Sequence, residues 1–389
     1  MRARAIIRVG LKWIGLAVVF AVVLELCARI DDAVRWGAPL VGHYSQRLLT
    51  VEDELGIRSR PGARFEKWEL DEHGFRKVPG AEPITMEKPE GVVRVAVLGA
   101  SETFGLFESP GMDYPAQMQA MLDEAAPGRY QVLNAGCAGM TFPRFTRYVR
   151  VWISRFEPDV VVIYPTPAAY LAEQPPAENI EPGTGPPVDL PENLRMTRKA
   201  RLLMRRFLPE SWQAWWRERR LESYVERRGG DDWLWHEPPA ERVELFRRHL
   251  EELLDAIDES GAKAVVATHA HRFPEDQAEW TAADKLHMVR WRQSYGRPAA
   301  SALLEMERVA NRVVREIAAE RGLAVADVAG AVPPTGRPTG SNHPPVPHFA
   351  DFTHFTDAGA RLAAAEMTDA VLRALSPVRG RPSSSSVGR

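Results

Sequence analysis

The sequence predicts an α/β protein in which a three-layer α/β/α domain of about five parallel strands follows an N-terminal transmembrane helix. Three observations predict it. Short apolar, β-branched runs alternate with amphipathic segments between residues 93 and 375, the alternation of a doubly wound sheet. Several of these runs end at glycine, asparagine or proline, where a strand gives way to a turn and then a helix. The first thirty residues place Arg2, Arg4, Arg8 and Lys12 ahead of an uncharged run, Trp13 to Leu24, the pattern of a membrane anchor.

The anchor comes first in the chain. Its uncharged core is shorter than the roughly 20 residues of a full span, and Glu25 stands near its end, where a membrane interface tolerates a charge. No small-residue cleavage site follows, and Leu24-Glu25-Leu26-Cys27 lacks the small residue that a lipoprotein signal places before its cysteine. Residues 1–30 therefore read as an uncleaved signal anchor, the alternative being an amphipathic or buried helix of a soluble cytoplasmic protein. Cations ahead of the apolar run favour a cytoplasmic N-terminus. That sets the large domain outside the cytoplasm, in the periplasm where the cell has two membranes.

Residues 31–92 carry turn signals at Arg60-Pro61-Gly62, His73-Gly74 and Val78-Pro79-Gly80 and read as a juxtamembrane extension packed against the domain. His73 lies in a surface turn and is given no chemistry. The first strand of the domain is the run Arg94 to Leu98, closed by Gly99-Ala100-Ser101 and followed by a helix over Tyr114 to Leu122. Tyr130 to Asn134 is the second strand, Phe145 to Phe156 a helix and Asp159 to Tyr164 the third strand. Glu241 to Glu259 is a periodic helix ending at Gly261, and Ala262 to Thr268 is the fourth strand. Met306 to Glu320 is another helix, Leu323 to Val328 a short fifth strand and Asp357 to Leu375 the closing helix.

The interval 171–238 is an insertion. Glu173 to Glu192 is rich in proline and glycine and reads as irregular. Met196 to Arg228 is rich in arginine and tryptophan and reads as one or two helices. It is a solvated charged face, a cap over the site, or a basic aromatic surface on anionic lipid. Residues 376–389, with four consecutive serines, read as a disordered tail.

Composition bounds the function. The 389 residues are 45% hydrophobic and 26% charged with a formal net charge of −2, so bulk charge does not mark a nucleic-acid binder. The two cysteines, Cys27 in the anchor and Cys137 in the sheet region, are not expected to pair. No cofactor is implied.

The chemistry gathers at strand ends. Ser101 falls at the carboxyl end of the first strand, the edge where open α/β sheets bind ligands. Near the other end of the chain, Asp351-Phe352-Thr353-His354 places a carboxylate and an imidazole three residues apart. The carboxylate can hold one ring nitrogen while the other faces a serine. Nucleophile, base and orienter are then Ser101, His354 and Asp351. Thr268-His269-Ala270-His271-Arg272 follows the fourth strand at the same edge. His271 and Arg272 are candidate substrate contacts, and so is Trp291, since exposed aromatics suit sugar faces. The His-x-His spacing, with His348, Asp351 and His354, could serve a metal; the serine mechanism accounts better for Asp351 and His354, and no metal site is assigned.

With these blocks in place the chain resembles the SGNH (GDSL-type) hydrolase superfamily over about residues 93 to 375. Gly99-Ala100-Ser101 is similar to its first block, Asn134-Ala135-Gly136-Cys137-Ala138-Gly139 to its second, and Asp351-Phe352-Thr353-His354 to its last. Asp71-Glu72-His73-Gly74-Phe75-Arg76 resembles the Gly-Phe-Arg turn ahead of the first block in membrane-anchored members. The resemblance implies a flavodoxin-like fold and a serine esterase acting on small acyl esters, with an oxyanion hole from the N–H groups of Ser101 and Gly136. Two positions depart from the family pattern. Ala100 replaces an aspartate, and the third block, near Tyr164 to Tyr170, has no asparagine; Thr166 is the stand-in considered for it. The alternatives are an O-acyltransferase that modifies cell-surface polysaccharide and an SGNH-fold binding protein that has lost turnover. The partners expected are the membrane through the N-terminal helix, an ester or acetylated glycan, and cell-envelope proteins.

Overall fold

A five-stranded, fully parallel sheet organises the chain. The computed structural model describes residues 2–53, 56–171, 194–334 and 346–376. The proline- and glycine-rich stretch of the insertion and all of the tail except Ser376 lie outside the described residues. The strands are β5 (Val93–Leu98), β6 (Tyr130–Asn134), β7 (Val160–Ile163), β8 (Lys263–Ala267) and β9 (Ala324–Ala326), arranged in the order β6-β5-β7-β8-β9. The chain steps from β5 to one side and then crosses back to β7 on the other. That reversal opens a crevice at the carboxyl ends of β5 and β7, the switch point where such sheets bind ligands.

Alternation along β5 builds two cores from one strand. Val95, opposite Val132 and Val160 in register, and Val97 face one layer; Ala96 and Leu98 face the other. This is why Val95 to Leu98 is apolar throughout: a parallel strand covered on both faces has no polar side. The helices, in chain order, are α1 (Arg2–Trp36), α2 (Ser101–Phe104), α3 (Tyr114–Ala125), α4 (Phe142–Val151), α5 (Pro167–Leu171), α6 (Arg195–Phe207), α7 (Glu210–Glu226), α8 (Ala240–Glu259), α9 (Ala282–Tyr295), α10 (Ala300–Arg321), α11 (Val328–Ala331) and α12 (Asp357–Leu375). Helices α3 and α12 cover the Val95 face through Met118, Ala363, Ala364 and Met367. Helices α4, α8 and α10 cover the other through Phe145, Leu250, Leu253, Leu303 and Val313.

Helix α1 runs to Trp36, six residues past the expected end of the anchor. Its Leu11–Trp36 portion is long and apolar enough to cross a membrane, and only 6% of its most apolar window is buried. The extension after it forms two small antiparallel hairpins, β1 (Thr50–Asp53) with β2 (Gly56–Ser59) and β3 (Arg64–Phe65) with β4 (Trp68–Glu69). The segment Met196 to Arg228 is two helices, α6 and α7. Helix α7 packs on α9 through Leu221, Val225 and Val289. The helix expected over Phe145 to Phe156 begins earlier, at Phe142, and gives way after Val151 to a 3-10 turn over Ile153–Phe156.

Candidate active site

The serine turn is built by close approach. Helix α2 is a single turn that begins at Ser101 and ends on Gly105, whose φ of 76° is left-handed. A Cβ on Gly99 would lie 1.8 Å from the Thr103 hydroxyl, so only glycine lets the turn fold back on the strand end. Arg76, from the extension, donates through Nη1 to the carbonyls of both Phe104 and Gly105. Its Nε sits 3.4 Å from Asp113, and both side chains are 2% exposed. Asp113 also caps α3 at the Ala116 N–H and accepts from Asn134 Nδ2, which donates in turn to the Thr103 carbonyl. The carbonyl ends of the α2 turn are therefore held by a buried cation, and that cation is held by a buried carboxylate.

The last block closes on itself. Asp351 Oδ1 accepts the backbone N–H groups of Thr353 and His354 at 3.0 Å each, and His354 Nδ1 lies 2.9 Å from both Asp351 oxygens. This fixes the imidazole's orientation and leaves Nε2 as the working nitrogen. Nε2 is buried and has no hydrogen-bond partner among the described residues. The Phe107 ring, 49% exposed, packs 5.1 Å from the imidazole.

Glu102 joins the two halves. Ser101 Oγ donates to its Oε2 at 3.1 Å, and Thr353 Oγ1 donates to its Oε1 at 3.0 Å. The carboxylate is 3% exposed. Serine and histidine are thus one bridging side chain apart, with Ser101 Oγ directed at Glu102 and not at Nε2. Neither composition nor spacing singled out Glu102. The only signal was a carboxylate next to the candidate nucleophile, and its partner Thr353 stands 251 residues away.

Burial alone would push His354 down. The bond to Asp351 and the nearby charges of Glu102, Asp351 and Glu108 outweigh it and hold the imidazole up at about 9. Burial likewise favours a neutral Asp351, but the His354 interaction and the two backbone N–H groups bring it down to about 2. Glu108, buried beside Asp113, is pushed up to about 7.

Several expected site residues sit elsewhere in the chemistry. The Gly136 N–H donates to Asn134 Oδ1 at 3.0 Å, so it is not available to an oxyanion. Gly136 is a packing glycine, where a Cβ would meet the Phe104 nitrogen at 2.5 Å. Three residues on, Gly139 is exposed and left-handed with φ 82°, has open space around it, and has no acceptor for its N–H among the described residues. Thr166 is 3% exposed, and its carbonyl accepts the Ala169 N–H at the start of α5.

Trp291 is 0% exposed and stacked between Phe273 and Phe352. It is core and offers no face to a sugar. Arg272 is likewise structural: Nε pairs with Asp284 at 2.9 Å, Nη1 donates to the Asp351 carbonyl, and the backbone N–H donates to the Phe352 carbonyl. It buttresses the Asp351 loop. The His271 ring packs against Phe273 and Trp291, and its Nδ1 accepts the Phe273 N–H. His269 is buried against Glu307 at 2.8 Å, and Glu307 also bonds Tyr170. The pair ties the end of β8 to α10. Two clefts, of about 620 and 1020 Å³, are lined by Tyr224 and Tyr295 and by Arg76 and Leu133 respectively, and the triad residues line neither.

No family model matches the chain, and no curated protein does. Among solved structures it is similar to an alpha/beta hydrolase enzyme from the metagenome of Lake Arreo, Spain (15% identity, 73% of this chain and 97% of that one, TM-score 0.41). It is similar also to a lipase/acylhydrolase from Enterococcus faecalis (15%, 74% and 100%, 0.41) and to an acetylxylan esterase from Geobacillus stearothermophilus (14%, 73% and 96%, 0.39). Likeness this distant assigns no activity to this chain. Its own strand order, β6-β5-β7-β8-β9 with every pair parallel, is that of a flavodoxin-like three-layer α/β/α fold.

Proposed function

We propose that this chain is a membrane-anchored serine esterase of the SGNH type that cleaves small acyl esters, O-acetyl esters first among them, with its domain on the outer side of the cytoplasmic membrane. One observation carries the reading: a buried Asp351–His354 pair keeps an Nε2 with no partner among the described residues in a loop that Thr353 and Glu102 tie to Ser101. A buried ring nitrogen without a partner is costly, and a reaction partner is what removes the cost.

In this mechanism Ser101 Oγ turns from Glu102 to His354 Nε2, which takes its proton as Oγ bonds to the ester carbonyl carbon. The carbonyl π pair becomes the oxyanion, received by the N–H groups of Ser101 and Gly139, with the Thr166 hydroxyl as a third donor. Collapse breaks the bond to the leaving oxygen, which takes the proton from His354. Water then attacks the acyl-serine with His354 again as base; a sugar hydroxyl in place of water would make the product a new ester. Small acyl groups suit a site whose base lies against the Phe107 ring. The membrane orientation rests on Arg2, Arg4, Arg8 and Lys12 ahead of the apolar run.

The test is fluorophosphonate labelling of the full chain in detergent, read by intact mass, beside Ser101→Ala and His354→Ala. Labelling of the wild type alone, with acetate release from p-nitrophenyl acetate, is the expected result. A folded wild type that neither labels nor releases acetate would sink the esterase reading and favour a binding role.

A further inference from the structure

We infer that the consecutive helices α6 and α7 are a second membrane-contacting element, which lays exposed apolar and basic side chains into the headgroup and acyl boundary of an anionic phospholipid leaflet beside α1. Helix α6 is fastened to α1 at a defined height. Its Arg195 and Arg198 pair with Asp32, Lys199 pairs with Asp31 and Asp32, and the Met196 N–H donates to Glu25 at 3.0 Å. Glu25 is the first charge after the uncharged run Trp13 to Leu24. The contacts therefore sit where a spanning α1 would leave the hydrocarbon, and α6 starts at the interface.

From there the two helices expose what a soluble surface hides. Leu202, Leu203, Met204 and Phe207 on α6 are 55–74% exposed, and Trp212, Trp215 and Trp216 on α7 are 53–64% exposed. Seven large apolar side chains this exposed on two consecutive helices mark an interaction surface. The opposite side of α7 is already used, since Leu221 and Val225 pack on Val289 of α9. Charge selects the occupant. Helix α6 has six arginines or lysines and no acidic residue, and residues 195–228 hold eleven basic residues against four acidic in a chain of net charge −2. Arg195, Arg198 and Lys199 are consumed by α1, while Arg201 and Arg206 stand exposed beside the apolar side chains. Exposed tryptophan, leucine and arginine side chains on two consecutive helices are the composition of an interfacial element on anionic lipid.

Helix α6 also reaches the supports of the reacting end of the sheet. Arg198 pairs with Glu66 at 2.5 Å and lies over the Phe65 ring, and in the same small hairpin Trp68 Nε1 donates to the Gly105 carbonyl that closes the serine turn. The membrane-facing platform and the serine turn share one rigid support.

The experiment uses the full chain in vesicles of phosphatidylcholine with 30% phosphatidylglycerol, part of the lipid carrying bromine at acyl carbons 6 and 7. Wild type is compared with the triple variant Trp212→Phe, Trp215→Phe, Trp216→Phe, which keeps aromatic bulk. The difference emission belongs to the three tryptophans, since the other eight of the eleven are common to both proteins. The expected result is difference emission quenched at least twofold by bromolipid, weakly by aqueous acrylamide, and less by bromolipid when phosphatidylglycerol is left out. Quenching by acrylamide alone would overturn the proposal, as a solvated face requires. Protection from both quenchers would overturn it too, pointing to cover by a second copy or another protein.

Discussion

If the chain is the esterase proposed above, replacing Glu102 with glutamine should make it faster at neutral pH, because the carboxylate that ties Ser101 to Thr353 also helps hold His354 protonated. Catalysis needs the neutral imidazole, and the group is held up at about 9. With that value only about one molecule in a hundred has a neutral base at pH 7, and kcat/KM rises with pH through an acid limb near 9. Glutamine keeps an oxygen and an NH2 group to bridge the two hydroxyls, and it removes one negative charge near the imidazole. An opposite charge within about 4–6 Å typically shifts a pKa by one to three units. Since Glu102 shares the site with Asp351 and Glu108, about one unit is expected. The limb should fall to near 8 and kcat/KM at pH 7 should rise about tenfold. The assay is p-nitrophenyl acetate hydrolysis from pH 6 to 10, with full-length wild type and variant in the same micelles. An acid limb that stays where it was would refute the electrostatic reasoning. A fall in rate at every pH with an unmoved limb would mean that Glu102 acts only by positioning Ser101.

Four further outcomes follow from the geometry. Arg76→Met leaves Asp113 buried without its cation and frees two carbonyls of the serine turn; a loss of about 3–5 kcal/mol by denaturant titration is expected, with fluorophosphonate labelling slowed in the protein that stays folded. Glu108→Gln should stabilise the protein above pH 7 and not below pH 4.5, since a carboxyl held up at about 7 in the fold supports stability while protonated and loses it as pH rises through that value. The gain is of order 2–3 kcal/mol, read as a melting shift at pH 8 absent at pH 4. Trp291→Phe should lower stability and leave KM for acetyl esters unchanged, because the ring is stacked in the core; a several-fold rise in KM would restore it as a substrate contact. In a crystal structure of the fluorophosphonate adduct, the phosphonyl oxygen should lie about 2.7–3.1 Å from the Ser101 and Gly139 nitrogens, and contact with the Gly136 nitrogen would reverse that assignment.

What the sequence by itself determined is the layered architecture and the local parts of the site. Apolar runs bounded by turns, alternating with amphipathic segments, admit few arrangements other than a parallel sheet covered on both faces. The first, second and closing elements fall within a residue or so of their expected strand and helix limits. The Asp351–His354 pair was equally legible, because three residues on one loop is a local distance. Only the tertiary structure decided which groups meet Ser101. Glu102 and Thr353 are 251 residues apart, and Arg76 reaches the serine turn from an extension that reads as a linker. The same holds where the sequence reading of single residues was corrected. Trp291 and Arg272 have the composition of contact residues, but burial and pairing are properties of the packed chain. The Gly136 N–H was an available donor until the fold brought the Asn134 side chain round to accept it. Periodicity records which face of an element is apolar; which polar atoms remain uncommitted depends on every neighbour at once, and those neighbours exist only after folding.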